Sequence, residues 1–201
     1  GIFSGSDVGR LRWRSVVARR NTGRVSGAVD IIGGRTLELE DVEFVRNTAT
    51  SDDSGAVQLW NIENVIINGT TFLRNSAGGS CGALSVDNAT RLEIANSEVE
   101  SNEGEWGGGV CIEDSQGVNL TSVRFHSNLA TLGDGGAALI TRCNTVQTSN
   151  ITLIHNNASD SGGGLALVDV TTARVSETTI SNSTASSGGC LYARSVQELS
   201  L

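Results

Sequence analysis

Three carboxylates are the residues in this sequence best suited to chemistry. Asp87 and Glu113 lie 26 residues apart, and Asp114 follows directly. If the chain repeats with that period, the first two side chains stack about 5 Å apart on neighbouring strands. Such a pair can hydrolyse glycosidic bonds, and it can also bind calcium. The acids Asp87, Glu113 and Asp114 are therefore the candidates for a catalytic or calcium site. The alternative, which we favour, is chance proximity of abundant surface acids.

The four cysteines, Cys81, Cys111, Cys143 and Cys190, do not form a zinc motif, because none are spaced as Cys-x-x-Cys. Cys81 and Cys190 are four repeats apart, about 20 Å by stacking, which is too far for a disulfide. Cys111 and Cys143 lie in adjacent repeats but four residues out of phase. They are the candidate disulfide pair, provided that the intervening turn is tight. If that disulfide does not form, we expect the cysteines to be isolated buried thiols.

The elements that position these residues are set by a repeat. Glycine before a small or aliphatic residue recurs at spacings of 28, 27, 26, 28, 27 and 26 residues. The repeat starts are Gly27, Gly55, Gly82, Gly108, Gly136, Gly163 and Gly189. A second mark is an asparagine late in each repeat, which we interpret as a structural ladder because stacked amides bond to one another and asparagine tolerates the left-handed conformation of a turn. The ladder comprises Asn21, Asn47, Asn75, Asn102, Asn128, Asn156 and Asn182.

Apolar residues alternate over short runs inside each repeat, which is the period of a β-strand. One run holds Phe44, Phe72, Val99, Phe125 and Leu153, each three residues before an asparagine. Three short strands per repeat of about 27 residues, without a helical segment, predict an all-β, right-handed parallel β-helix. We expect a single domain over residues 1–201 with about 7.5 coils and no evident caps, as a segment of a longer solenoid or a stacking protomer.

The motif pair Phe-x-x-Asn and Gly-Gly-Ala-aliphatic resembles the repeats of the chlamydial polymorphic outer-membrane proteins. Phe44–Asn47, Phe72–Asn75 and Phe125–Asn128 match the first motif, and Gly135-Gly136-Ala137 matches the second. The resemblance implies a pectin-lyase-like β-helix on the cell surface, with a role in adhesion. It implies no catalytic residues.

Charge excludes some partners and favours others. Residues 25–201 hold eight arginines against 21 acids, so nucleic acid is not an expected partner. Residues 1–24 hold six arginines against Asp7 alone. This basic end is either a set of solvated arginines or a surface that meets an acidic neighbour. No apolar run is long enough for a transmembrane segment.

Six Asn-x-Ser/Thr sequons occur in the sequence. Five are predicted to carry N-linked glycans if the source is a eukaryote, and the sixth, Asn182, is expected to point inward as a ladder residue. The predicted sites are Asn68, Asn88, Asn119, Asn150 and Asn157.

The sequence thus favours a non-enzymatic extracellular structural protein without cofactors. We expect a rigid, glycosylated β-helix segment of a surface filament or cell coat, joined head to tail with itself or with other surface glycoproteins. The alternatives are an adhesin-type surface passenger and a polysaccharide lyase or hydrolase.

Overall fold

The chain is a parallel β-solenoid in a computed structural model that describes residues 2–51 and 54–201. The described residues form 26 strands and no helix, arranged in about seven coils, which confirms the predicted all-β fold. None of these residues form a helix that is long and apolar enough to cross a bilayer.

The strands follow one another in the same order in every coil. They are β1 (Phe3–Arg14), β2 (Val17–Arg19), β3 (Thr22–Gly23), β4 (Val29–Glu40), β5 (Glu43–Val45), β6 (Thr48–Ala49), β7 (Val57–Asn68), β8 (Thr71–Leu73), β9 (Ser76–Ala77), β10 (Leu84–Asp87), β11 (Arg91–Ala95), β12 (Glu98–Glu100), β13 (Glu103–Gly104), β14 (Val110–Glu113), β15 (Gly117–Thr121), β16 (Arg124–His126), β17 (Leu129–Ala130), β18 (Ala138–Thr141), β19 (Thr145–Ser149), β20 (Thr152–Ile154), β21 (Asn157–Ala158), β22 (Leu165–Val168), β23 (Thr172–Ser176), β24 (Thr179–Ser181), β25 (Leu191–Arg194) and β26 (Glu198–Ser200).

Three sheets run along the solenoid. Sheet A has 13 strands, sheet B has seven (β2, β5, β8, β12, β16, β20, β24), and sheet C has six (β3, β6, β9, β13, β17, β21). The first three coils each give sheet A one 12-residue strand, β1, β4 and β7. From the fourth coil that strand is divided, so β7 pairs with both β10 and β11. Sheet A therefore forks into a first arm (β10, β14, β18, β22, β25) and a second arm (β11, β15, β19, β23, β26), and coils four to six have four strands instead of the predicted three.

Each coil turns at three corners, and each corner has one residue in the left-handed backbone region. Every described non-glycine residue with positive φ lies at such a corner, with φ between 48° and 58°. Aspartate, asparagine and serine recur there because a short polar side chain lowers the cost of that conformation. The first corner, which follows the first arm of sheet A, holds Asp7, Asn61, Asn88, Asp114, Arg142, Asp169 and Ser195.

The core is built from side chains that repeat on equivalent positions of successive coils. Phe44 and Phe72 are fully buried neighbours in sheet B, with ring centroids 5.2 Å apart. The small Ala18 precedes them in that sheet, and Trp13 fills the space by stacking on Phe44 at 6.1 Å. Burial of this apolar stack along the axis is the main favourable contribution to the fold.

The asparagine ladder is present from Asn21 to Asn156. In its central part, backbone N and side-chain Nδ2 of Asn75 both donate to Oδ1 of Asn102, at 2.8 and 3.0 Å. The same Nδ2 also donates to the carbonyl O of Phe44 in the preceding coil, at 3.0 Å. The amide hydrogens and the oxygen of this buried side chain therefore all have partners, as burial requires.

Two details of the ladder differ from the prediction. The left-handed residue at this corner is the one before each ladder asparagine, for example Arg46 before Asn47. Asn182 occupies that preceding position, with φ 53° and an exposed side chain, so it is not a ladder residue. The inward position belongs to Ser183, whose Oγ accepts a hydrogen bond from the backbone N of Asn156 at 3.3 Å. Ser183 lies three residues after Ile180 of sheet B, which is the same spacing that relates Phe72 to Asn75.

The start glycines are explained by a close approach of backbones. A Cβ on Gly82 would lie 1.9 Å from the carbonyl O of Gly108 in the next coil, and one on Gly55 would lie 2.0 Å from the O of Gly82. Any side chain here would push the coils apart, which is why glycine recurs in every repeat.

Candidate functional site

The carboxylates singled out from the sequence lie together at the end of the first arm, where an arginine pairs with two of them. Asp87 and Glu113 are direct neighbours across β10 and β14, as the repeat predicts. Arg142, one coil further on, donates to Asp114 Oδ1 at 2.8 Å and to Glu113 Oε2 at 2.5 Å. Hydrogen bonds to Asp114 and Glu113 raise the pKa of the Arg142 guanidinium above its ordinary value. These contacts engage both oxygens of Asp114 and one oxygen of Glu113, which are atoms that a general base or nucleophile would use.

The calcium alternative concerns the same acids. The part of the chain that the structure describes contains no group of three or more His, Cys, Asp or Glu side chains arranged to hold a metal ion. The two histidines, His126 and His155, contact each other edge to face with ring centroids 5.7 Å apart. The calcium alternative for Asp87 and Glu113 receives no further support from the geometry.

A groove with a volume of about 360 Å³ lies on the outer face of the first arm. Thr141 and Val168 are neighbours across β18 and β22 and form its floor with Leu139. These three side chains point away from the core, yet each is more than 90% buried. Charged side chains surround the floor. The residues that line the groove are Ser80, Trp106, Glu113, Asp134, Leu139, Thr141, Arg142, Val168, Asp169 and Arg194.

One wall of the groove is the indole of Trp106, which is 47% exposed. Its inner face rests on Gly133, where a Cβ would lie 2.1 Å from Cε3 of the indole. The carbonyl O of Gly133 also accepts a hydrogen bond from the backbone N of Asp160, which ties this loop to the next coil. The ring is therefore held by its surroundings and exposes one face to solvent.

A disulfide fixes the loop that carries Trp106. Cys111 is bonded to Cys81, with Cα atoms 5.7 Å apart, and its Sγ lies 3.9 Å from the carbonyl O of Trp106. The candidate pair Cys111–Cys143 is therefore wrong. The physical reason is that the two side chains point in opposite directions. Cys143 belongs to the apolar core, whereas Cys111 alternates along β14 with the core residues Val110 and Ile112 and therefore faces outward.

The other two cysteines are free thiols in different surroundings. Cys143 is buried and Cys190 is exposed. Burial raises the pKa of the Cys143 thiol to about 11, so this side chain is a protonated core residue at neutral pH and not a nucleophile.

The sequon asparagines lie at corners, in strands of sheet A and in sheet C. Asn88 and Asn150 are exposed residues with positive φ, Asn157 is exposed, and Asn68 and Asn119 are half-buried. No sequon asparagine lines the groove described above. N-glycosylation at these five positions stays a prediction. Asn182, which the sequence predicts to point inward, is exposed like Asn88, Asn150 and Asn157.

The arginines of the first coil face glutamates of the second. Arg10 binds Glu38 at 2.6 Å, and Arg12 and Arg14 bind Glu40 at 2.7 and 2.6 Å. Hydrogen bonds from Arg14 and Arg12 hold the pKa of the Glu40 carboxyl below its usual range. Arg19 lies 4.0 Å from Glu43, so four of the six arginines at this basic end are paired within the chain, and Arg20 and Arg24 are exposed on its surface.

Apart from Glu113, the residues that line the groove are not among the candidates that the sequence provides. Trp106 lies in a glycine-rich stretch between strands, and its pairing with Gly133 depends on loop conformation. One feature of the sequence does indicate this face. Leu139 and Val168 are apolar residues at outward positions of the first arm, where the alternation of buried and exposed residues is broken. Apolar residues on an outward face indicate that something covers or occupies that face.

No family model, curated protein sequence or solved structure matches this chain.

Proposed function

We propose that this chain is a non-enzymatic, extracellular structural protein, a rigid β-helical segment that extends a surface filament or cell coat by end-to-end stacking of coils. The observation that carries the proposal is that the parallel strand pairing continues without a break to the outermost described strands. Among the described residues, strand β1 pairs with β4 on one edge, and β25 and β26 pair with β22 and β23 on one edge. The outer edge of such a strand is a template for further parallel pairing.

The apolar cross-section is also open at the two ends. Leu11 and Trp13 at one end, and Leu191 at the other, pack against the core but remain only half-buried, and Leu199 is 41% exposed. A second copy stacked head to tail would cover this surface. Since β25 and β26 extend sheet A beyond sheets B and C, the contact would begin between these strands and β1 of the second copy.

The disulfide supports an extracellular location. Bonds of this kind persist mainly in oxidising compartments, and cytosolic thiols are usually kept reduced. The resemblance of the Phe-x-x-Asn and Gly-Gly-Ala repeats to those of chlamydial polymorphic outer-membrane proteins supports the same assignment to the cell surface, with N-linked glycans on the sequons if the source is a eukaryote.

Absence of catalysis is part of the proposal. Arg142 pairs with Glu113 and Asp114, so two of the three candidate carboxylates belong to a surface ion-pair cluster. Replacing Asp87 and Glu113 by alanine should leave any polysaccharide-cleaving activity of the preparation unchanged.

End-to-end stacking is tested by sedimentation and electron microscopy of the purified chain over a range of concentrations. We expect particles that lengthen in steps of about 35 Å, the height of seven and a half coils at about 4.8 Å each. Leu199→Lys places a charge on the open end and should keep the chain monomeric. Leu132→Lys, at a 62% exposed loop residue away from both ends, is the matched control. Monomers at all concentrations, or equal assembly of both variants, would overturn the proposal.

An adhesin-type surface passenger is the second candidate. The observation that favours it is that Trp60 and Trp106 are large aromatic residues with 46% and 47% exposure. Exposed aromatic side chains are typical of recognition surfaces.

A further inference from the structure

We propose that the groove on the first arm binds a neutral oligosaccharide. This binding site is independent of the structural role proposed above. The groove follows the solenoid axis, because its floor and ends come from one row of equivalent positions on successive strands. Glu113, Thr141, Val168 and Arg194 are consecutive partners in that row. Three steps between strands give a length of roughly 14 Å, which suits an extended chain of a few sugar rings.

The aromatic wall supplies the apolar contact that a sugar ring needs. One side of the Trp106 indole packs on Gly133, and the residue lines the groove and is 47% exposed to solvent. A pyranose presents a face of C–H groups that packs against such a ring. Because packing and the disulfide already hold the indole, little conformational entropy is lost on binding.

The charges exclude polyanions and favour hydroxyl groups. Arg142 is paired with Glu113 and Asp114, so it contributes no net positive charge to the groove. Asp134, Asp169 and Arg194 add two negative charges and one positive charge at the rim. A phosphate or a uronate would meet net repulsion, whereas sugar hydroxyls can donate to the carboxylates and accept from the guanidinium.

A buried hydroxyl without a partner also points to a ligand. Thr141 is 9% exposed and lies in the groove floor, and its Oγ1 forms no hydrogen bond with any described residue. Leaving a buried polar atom unpaired costs stability. A rotation about χ1 brings this hydroxyl to the surface of the groove, where a sugar hydroxyl would satisfy it.

Titration calorimetry and ligand-observed NMR with neutral tetrasaccharides of glucose, galactose, mannose and N-acetylglucosamine test the proposal, with tetragalacturonate as the anionic comparison. We expect saturable binding of at least one neutral probe, with a Kd of about 0.1–1 mM for so shallow a groove. Binding of tetragalacturonate alone, or of no probe up to about 10 mM, would overturn the proposal.

Variants locate the binding in the groove. Trp106→Ala should weaken it about tenfold or more, and Trp60→Ala, at an equally exposed tryptophan of strand β7, should leave it unchanged. Gly133→Ala displaces the indole without removing it and should weaken binding as well. Thr141→Val should reduce affinity about fivefold without lowering the melting temperature, since the hydroxyl has no partner in the free protein. Equal effects of the two tryptophan variants would place the binding elsewhere and refute this assignment.

Discussion

The asparagine ladder provides the sharpest test of how the coils are held together. Replacing Asn102 by alanine removes four buried hydrogen bonds. Two are accepted by Oδ1 from Asn75, at 2.8 and 3.0 Å, and two are donated by Nδ2, to the carbonyl O of Phe72 and to Oδ1 of Asn128, both at 3.0 Å.

The cost follows from which atoms lose their last partner. Nδ2 of Asn75 keeps Phe44, and Oδ1 of Asn128 keeps the backbone N of Asn102, but the backbone N of Asn75 is left unpaired. One orphaned buried donor costs about 1–3 kcal/mol, and each remaining lost bond costs about 0.5–1.5 kcal/mol. We therefore expect Asn102→Ala to lower the free energy of unfolding by about 2.5–7.5 kcal/mol.

Urea unfolding followed by circular dichroism measures this change, and hydrogen exchange at the Asn75 amide shows whether the effect is local. The matched control is Asn182→Gly, because Asn182 lies outside the ladder and glycine accepts its left-handed backbone. This control should stay within about 0.5 kcal/mol of the unmodified protein. A loss below about 1 kcal/mol for Asn102→Ala, or equal losses in the two variants, would refute the assignment of the ladder as a major source of stability.

Three further predictions concern other parts of the coil. Gly82→Ala should lower the free energy of unfolding by about 3 kcal/mol or more, because its Cβ clashes with the next coil. The control is Gly117→Ala, where a Cβ meets its nearest atom at 3.6 Å, and this variant should be neutral or slightly stabilising. Similar melting temperatures for the two variants would contradict the close approach of backbones at Gly82. Burial of Cys143 favours the neutral thiol, so the contribution of this side chain to the free energy of unfolding is fully present below about pH 9 and is lost as the pH rises towards about 11. A free energy of unfolding that stays constant across this range, or that has the same pH dependence in a Cys143→Ala variant, would contradict this prediction. Reducing the Cys81–Cys111 bond, with its separation of 30 residues, should lower stability by about 3–4 kcal/mol, and an unchanged urea midpoint in reductant would show that the bond does not constrain the unfolded chain.

The sequence predicts those features of the fold that repeat. Phe44, Phe72 and the asparagines three residues after them recur with the coil, so their stacking follows from periodicity alone. Asn182 has the residue type of the ladder but follows Ile180 by two residues instead of three, so it lies one position before the ladder.

Features that occur once were harder to predict. The Cys81–Cys111 bond depends on a sharp turn at the repeat start, which brings a residue before the start glycine beside the first strand of the next coil. The groove depends on the loop containing Trp106 and on the small Gly133 beneath it, neither of which repeats. Local loop geometry has no periodic signature, so only coordinates reveal what these residues form.

The ladder also gives the solenoid a direction. Every backbone N and Nδ2 from Asn21 to Asn128 donates toward the following coil, and every Oδ1 from Asn47 to Asn156 accepts from the preceding one. Oδ1 of Asn21 accepts no hydrogen bond from the described residues, so the first coil offers an acceptor to whatever precedes it. A stack built from such coils is polar, with chemically distinct plus and minus ends. Added units must enter in one orientation, and a stack that met another head to head would bring two acceptor faces together.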